Sequence, residues 1–265
     1  MAAVCLPIRY PNVCRLPPEP VLSGLAALGR HTLVWALPGN RNAILDSAVG
    51  DSARLAIDDW ISANRPFIVT RQCELPSKPI VKPIVKSIAV GLPLPPAQGK
   101  RRIGLQLPAN AIAKTACLPR LTDVVDSAPA NWRLSLRQLA TTSVDLHVDF
   151  HVFGSLAWQA LTGLAYVTAQ SDIDLLWRPA THEQLRAGIS LLENWELETG
   201  LRADGEIVFG NLGAVAWREW SALRNRDGGY VLLKHEHGAG LRSGREVLAQ
   251  LAARDTSAGL RMALP

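Results

Sequence analysis

The chain has 265 residues, 48% apolar and 19% charged, enough to bury an ordinary core in one large or two modest domains, which excludes wholesale disorder. Its formal charge of +5 and pI of about 9.3 favour an anionic partner through long-range steering, but the basic residues are scattered, so nucleic acid is not the expected partner. No apolar run approaches the roughly 18 residues of a membrane span, and Cys5, Cys14, Cys73 and Cys117 lie far apart with no CxxC pair.

Residues 1–23 carry five Pro and little periodicity and read as a loose arm without a signal-peptide core. With cysteine usage that fits reduced thiols, the expectation is a cytoplasmic protein with no membrane partner. An N-terminal α/β domain is expected over 24–121. Within it, 29–35 has the β-branched and aromatic content of a strand. Residues 51–65 place Leu55, Trp60 and Ile61 at helical spacing, and 67–71 reads as a second strand. From 74 to 96 the chain is punctuated by Pro, with Lys-Pro-Ile-Val at 78–81 and again at 82–85. Pro lacks the backbone donor of a central strand, so this stretch reads as loop, edge or polyproline-like. Lys100, Arg101 and Arg102 then precede a strand at 103–107, and 108–129 reads as a connection with a short helix.

A second domain is expected over 122–265. Residues 131–142 are helical, with Trp132, Leu136 and Leu139 on one side. Val144, Leu146, Val148, Phe150 and Val152 alternate with Asp145, His147, Asp149, His151 and Phe153, the period of a strand with one solvated face. A helix follows over 155–164, closed at Gly163, and then a buried strand over 173–177. Thr181 and Gln184 have capping-box spacing for a helix that stops at Gly200. Residues 206–209 and 214–217 flank Gly210–Gly213 as a hairpin, 229–236 is a further strand, and Ser243 and Glu246 open a terminal helix to about Arg254. The pattern is a mixed α/β arrangement.

The chemistry concentrates at two adjoining segments. A strand entering Gly154-Ser155 at a helix start presents free N–H groups and the positive end of a helix dipole, a seat for phosphate. On the next strand Asp172 and Asp174 project from one face, with Cα atoms about 6–7 Å apart, while Ile173 points into the core. Two carboxylates so placed can share one divalent ion, or flank two ions about 3.5–4 Å apart, to support in-line phosphoryl transfer. Alone, a Gly-Ser pair is a cap and an Asp-x-Asp a solvated strand end; together they supply a phosphate seat and a metal seat.

Gly-Ser, a helix and Ser-Asp-x-Asp together resemble the nucleotidyltransferase superfamily, although the 16 residues between Ser155 and Asp172 exceed its minimal spacing. The string GSLAWQALTGLAYVTAQSDIDLLW (154–177) is similar to one branch, the phosphoribosyl-dephospho-CoA transferases of malonate decarboxylase, or holo-acyl-carrier-protein synthases. RHTLVW (30–35), VGLPLPPAQGKRRIGL (90–105), DGEIVF (204–209), AVAWREW (214–220) and GYVLLK (229–234) extend the similarity over about 30–242. The resemblance implies transfer of the prosthetic group from triphosphoribosyl-dephospho-CoA to a serine of the apo acyl-carrier subunit, with release of diphosphate. It also implies that Asp172 and Asp174 are catalytic, with Mg2+ or Mn2+ as cofactor, and that the basic charge serves a triphosphate and an acidic carrier.

Further candidates carry an ordinary reading beside the functional one. Glu206, with Asp204 behind it, is the candidate third metal carboxylate; otherwise the two form a turn and a solvated strand end. Lys100, Arg101, Arg102 and Lys234 are candidate phosphate ligands, since cationic side chains suit phosphate; otherwise they are solvated. His235 and His237 around Glu236 read as loop histidines, and Trp158 as core or pocket wall. The alternatives in function are transfer of NMP from an NTP to another acceptor, and non-catalytic binding of an acidic carrier protein or nucleic acid.

Overall fold

The computed structural model describes residues 28–46, 50–71, 87–223, 229–235 and 238–251. The expected arm at 1–23, the two Lys-Pro-Ile-Val repeats, Cys5, Cys14, Cys73, Glu236 and His237 lie outside the described residues. Packing divides the chain into two units. The first holds residues to Leu118 together with Leu161–Tyr166, and the second holds Pro119–Ala160 and the chain from Val167 onward.

The first unit is an antiparallel sheet of β1 (Leu33–Ala36), β2 (Phe67–Val69), β3 (Ser87–Pro93), β4 (Arg102–Pro108) and β5 (Ile112–Ala116), in the order β4-β3-β2-β1-β5. Two helices, α1 (Arg41–Asp46) and α2 (Asp51–Ser62), belong to it. Helix α2 buries Ile57, Trp60 and Ile61. Leu55, expected on that face, is 69% exposed, because Ile57 rather than Leu55 shares a side with Trp60 and Ile61 at helical spacing. Trp60 donates its indole N–H to the Pro66 carbonyl at 2.9 Å, which satisfies the polar atom of a buried ring. Tyr166 likewise donates to the Pro93 carbonyl at 2.8 Å, and burial pushes its phenol up to about 12.

Two sequence expectations fail in this unit. Residues 87–93 were to be loop or edge, yet β3 is an interior strand paired on both sides. Its only proline, Pro93, stands at its last position, where a missing donor is tolerated. Residues 112–116, expected in a connection, form β5 beside β1; Ile-Ala-Lys-Thr-Ala carries little alternation, and its partner is about eighty positions away in the chain.

The second unit is a six-stranded sheet in the order β11-β10-β9-β8-β7-β6. Its elements are α3 (Leu121–Val124), α4 (Ala130–Asp145), β6 (His151–Phe153), α5 (Gly154–Thr162), β7 (Ile173–Trp177), α6 (His182–Thr199), β8 (Ala203–Phe209), β9 (Gly213–Ala216), α7 (Trp217–Leu223), β10 (Tyr230–His235) and β11 (Gly238–Ser243). A last helix, α8, covers 244–251. β7 and β8 run parallel, joined through α6, as a βαβ crossover requires; the other described pairs are antiparallel.

One face of this sheet carries the helices. Ile173, Leu175, Trp177, Ile207 and Phe209 share it by alternation and are each at most 1% exposed. Trp177 meets Phe150 edge-on, with ring centroids 5.3 Å apart, and Trp220 of α7 lies 4.7 Å from Phe209. Gly188 brings α6 onto Trp177: a Cβ there would stand 3.0 Å from the indole nitrogen. Helix α6 opens as expected, since Thr181 accepts from the Gln184 N–H. The Gln184 side chain, however, reaches one residue further back than a capping box does, to the Ala180 N–H.

The alternating run 144–153 does not form one strand. Helix α4 continues through Asp145, and His147 turns the chain in a left-handed conformation, φ 55°. Only His151–Phe153 is strand. Helix formation over Ala130–Asp145 consumes the first residues of the pattern, so Val144 and Leu146 are 61% and 41% exposed while Val148 and Phe150 are buried. Asp145, His147, Asp149 and His151 therefore do not line a sheet face together; Asp149 pairs instead with Arg120 and His151, both at 3.4 Å. β11 was not foreseen; 238–243 is rich in small residues and becomes strand by pairing with β10 along its length. No described helix is long and apolar enough to cross a membrane.

Trp177→Ala should cost about 3–5 kcal/mol by removing a fully buried aromatic. Leu197→Ala, at a side chain 87% exposed, should stay within about 0.5 kcal/mol. Urea denaturation of both variants checks the contrast.

Candidate active site

The candidate site forms where β6 hands over to α5. Phe153, the last residue of β6, stands opposite Asp174 on β7, so the next residue, Gly154, lies against that carboxylate. An ideal Cβ on Gly154 would be 1.8 Å from Asp174 Oδ2, and its φ of 64° is in the left-handed region. Only glycine fits a close approach of this kind. Gly154 and Ser155 are the first two residues of α5, so the positive end of a nine-residue helix meets the Asp174 carboxylate. Both residues are half-buried, leaving the helix start accessible.

Asp172 stands one residue ahead of β7. The turn that delivers it is fixed by Ser171, whose Oγ accepts from the Thr168 N–H at 3.0 Å and whose N–H donates to the Thr168 carbonyl at 3.1 Å. Upstream, Gln159 of α5 donates to the Ser127 carbonyl at 2.6 Å and accepts from the Val167 N–H at 3.0 Å, tying the returning chain to the helix. Ile173, between the two aspartates, is fully buried. Asp172 and Asp174 therefore share the sheet face opposite the helices.

Several neighbours of the aspartates carry no motif in the sequence. Arg202 pairs with Asp172 at 3.4 Å, and its carbonyl accepts from the Ile173 N–H at 2.9 Å. This contact exists because β8 runs parallel to β7, with Ile173 opposite Ala203 and Asp174 opposite Asp204. Gly205 makes that close parallel pairing possible: a Cβ there would meet the Leu175 carbonyl oxygen at 1.8 Å. Arg218 pairs with Glu196 and donates to the Ala203 carbonyl at 2.7 Å. With Leu201, Glu196 and Arg202 it lines a cavity of about 310 Å³. The local signal for Arg202 and Arg218 is only their charge.

The remaining predicted residues separate into two groups. Glu206 and Lys234 come together at 2.9 Å, with Glu206 only 7% exposed. Glu206 lies two positions beyond Asp204 along β8, so Asp204 is the residue level with Asp174. Lys100, Arg101 and Arg102 lie in the first unit, exposed at the β3–β4 connection. Lys100 is left-handed there, φ 51°, and Arg101 donates to Ser52 Oγ at 3.2 Å. Trp158 is buried, as the core reading expects.

Among the described residues, no group of three or more His, Cys, Asp or Glu lies together so as to hold a metal ion. Asp172 and Asp174 supply two hard oxygen ligands on one face. That donor set fits Mg2+, which is commonly held by one or two carboxylates and completed by substrate phosphates and water.

Apart from Leu161–Tyr166, the two units correspond to two matched domain families. Residues 120–245 match the Phosphoribosyl-dephospho-CoA transferase MdcG C-terminal domain, and residues 29–116 match the corresponding N-terminal domain. A phosphoribosyl-dephospho-CoA transferase of Xanthomonas campestris pv. campestris (strain 8004) is 37% identical over 215 residues, covering 80% of this chain and 93% of that protein. One from Xanthomonas euvesicatoria pv. vesicatoria (strain 85-10) is 40% identical over 195 residues, 73% of this chain and 85% of that one. One from Bradyrhizobium diazoefficiens is 35% identical over 191 residues, 72% of this chain and 81% of that one. No solved structure matches significantly. The molecule is thus a two-domain transferase enzyme. The chain belongs to the phosphoribosyl-dephospho-CoA transferase family.

Gly154→Ala should abolish transfer, because its Cβ must displace the Asp174 carboxylate. Gly163→Ala has a similar φ, 71°, but meets nothing within 4 Å; it should cost about 1–2 kcal/mol of strain and keep activity. Transfer rates beside melting temperatures separate the two. Lys234→Met should destabilise by about 3 kcal/mol, the low end for a buried pair because Lys234 is about a third exposed. Adding Glu206→Gln should restore much of that stability in denaturant melts.

Proposed function

We propose that this protein transfers the phosphoribosyl-dephospho-CoA group from triphosphoribosyl-dephospho-CoA to a serine of the apo acyl-carrier subunit of malonate decarboxylase, in the cytoplasm. The observation that carries the proposal is the Asp174 carboxylate, two residues from Asp172, against Gly154 at the α5 helix start. Transfer of this kind calls for a phosphate seat beside a divalent-cation seat, and a helix start next to carboxylates supports that reading.

In the proposed reaction the serine hydroxyl gives its proton to solvent and its oxygen bonds to the α-phosphorus. The bond from that phosphorus to the bridging oxygen breaks, and diphosphate leaves. The N–H groups at the start of α5, with Ser155, would hold the phosphate chain, and Asp172 and Asp174 would hold the cation, Mg2+ or Mn2+. When bound, such an ion neutralises charge on the transferring phosphoryl group. Neither Asp204 nor Glu206 joins Asp172 and Asp174 as a third carboxylate among the described residues, and Glu206 is paired with Lys234 through Oε1. Arg202, paired with Asp172, is a further candidate phosphate ligand beside Lys234. Lys100, Arg101 and Arg102 stay candidates for the CoA diphosphate, as an exposed cationic cluster.

Intact-mass measurement tests the proposal: the apo carrier is incubated with the enzyme, the triphosphoribosyl precursor and Mg2+. Addition of the phosphoribosyl-dephospho-CoA mass is the expected result. An adduct that forms only with ATP or CTP would replace it with NMP transfer, and tight carrier binding without any adduct would replace it with a binding role. Asp172→Asn and Asp174→Asn should each slow the mass shift about a thousandfold at unchanged melting temperature. Full activity in both variants would refute the assignment of the site.

A further inference from the structure

The helix-bearing side of the second unit holds a cavity of about 600 Å³ that the proposed transfer does not use. It lies between the first turns of α6 and α8 and the end of α7. Its floor is apolar: Ile189 is 1% exposed and Trp220 is 7%, and Leu248 of α8 joins them. His182 closes one wall, with its Nε2 3.2 Å from the Leu248 carbonyl oxygen.

The charged lining has one sign. His182, Arg186 and Arg245 border the cavity, and none of its described lining residues is acidic. Among the described residues neither the Arg186 nor the Arg245 side chain makes a hydrogen bond or an ion pair, as is also the case for the exposed Arg71 and Arg102. The starts of α6 and α8 add partial positive charge to the same rim. An exposed arginine over a convex surface needs no ligand. Here two of them stand over a concave apolar floor whose volume falls within the usual range for small-molecule sites.

We propose that this cavity binds an organic anion with an apolar body, an aryl or alkyl group ending in a sulfonate, carboxylate or phosphate. The apolar body covers Ile189, Trp220 and Leu248, and the anionic end takes charge-assisted hydrogen bonds from Arg186 and Arg245. The site is distinct from Asp172 and Asp174. Those residues occupy the other sheet face, at the start of β7, while His182 follows the end of β7 at Trp177.

Anilinonaphthalene sulfonate is the probe, titrated into the full-length protein and followed by fluorescence and calorimetry. Its uncharged parent, phenylnaphthylamine, serves as the comparison. One saturable equivalent of the sulfonate is expected. The Arg186→Ala/Arg245→Ala double variant, changed only at exposed positions, should bind it about tenfold more weakly or worse. Phenylnaphthylamine should show a similar loss with the unaltered protein. Leu248→Trp, which fills the floor, should abolish binding, with melting curves confirming that each variant folds. Unsaturable binding, an unchanged affinity in the double variant, or equal binding of the uncharged parent would each overturn the proposal. So would displacement of the dye by the triphosphoribosyl precursor, which would put it in the transfer site. None of these readings depends on transferase activity, so the failure of one proposal is distinguishable from the failure of the other.

Discussion

The contact between Gly154 and the Asp174 carboxylate is the constraint around which the second unit is arranged. It requires β6 to end opposite Asp174, the chain to turn through a left-handed residue, and a helix to begin at once. A side chain at position 154 would occupy the space of Asp174 Oδ2. The approach also has an electrostatic sense, because a carboxylate beside a helix N-terminus lies at its favourable end. The same turn therefore fixes where the Asp174 carboxylate stands relative to the start of α5.

The parallel pairing of β7 with β8 is the second requirement. It places Arg202 beside Asp172 and Asp204 level with Asp174, and it depends on Gly205 for its close backbone approach. The helices then pack on one face through Trp177, Phe209 and Trp220, leaving the opposite face to the charged residues. Glu206 and Lys234 lie on that face, where Lys234 pairs with Glu206 Oε1 while Oε2 is buried without a hydrogen-bond partner among the described residues. A buried carboxylate is costly without such a partner, which is a structural reason for the lysine that its charge alone did not reveal.

Local signals were read well where the physical cause is local. The cap at Thr181, the stops at Gly163 and Gly200, and the short buried run of β7 depend on neighbours within a few residues, and each is where the sequence places it. The run from Val144 to Phe153 failed because alternation is a statement about one conformation, and α4 had already claimed its first residues. β3, β5 and β11 were missed or demoted for a different reason. Their sequences are proline-flanked, alanine-rich or glycine-rich, and they become strands by hydrogen bonding to partners whose register no local pattern encodes.

By itself the sequence determined the mixed α/β class, the Gly154-Ser155 helix start and the shared face of Asp172 and Asp174, because chain periodicity and glycine's conformational freedom act within a few residues. Its long motifs also pointed to the family to which the chain belongs. Only the tertiary structure decided that Gly154 touches Asp174, that Arg202 rather than a more distant cation sits beside Asp172, and that Glu206 is held by Lys234. Those facts are set by strand order and register, which bring together residues from separate parts of the chain through hydrogen bonds and close packing.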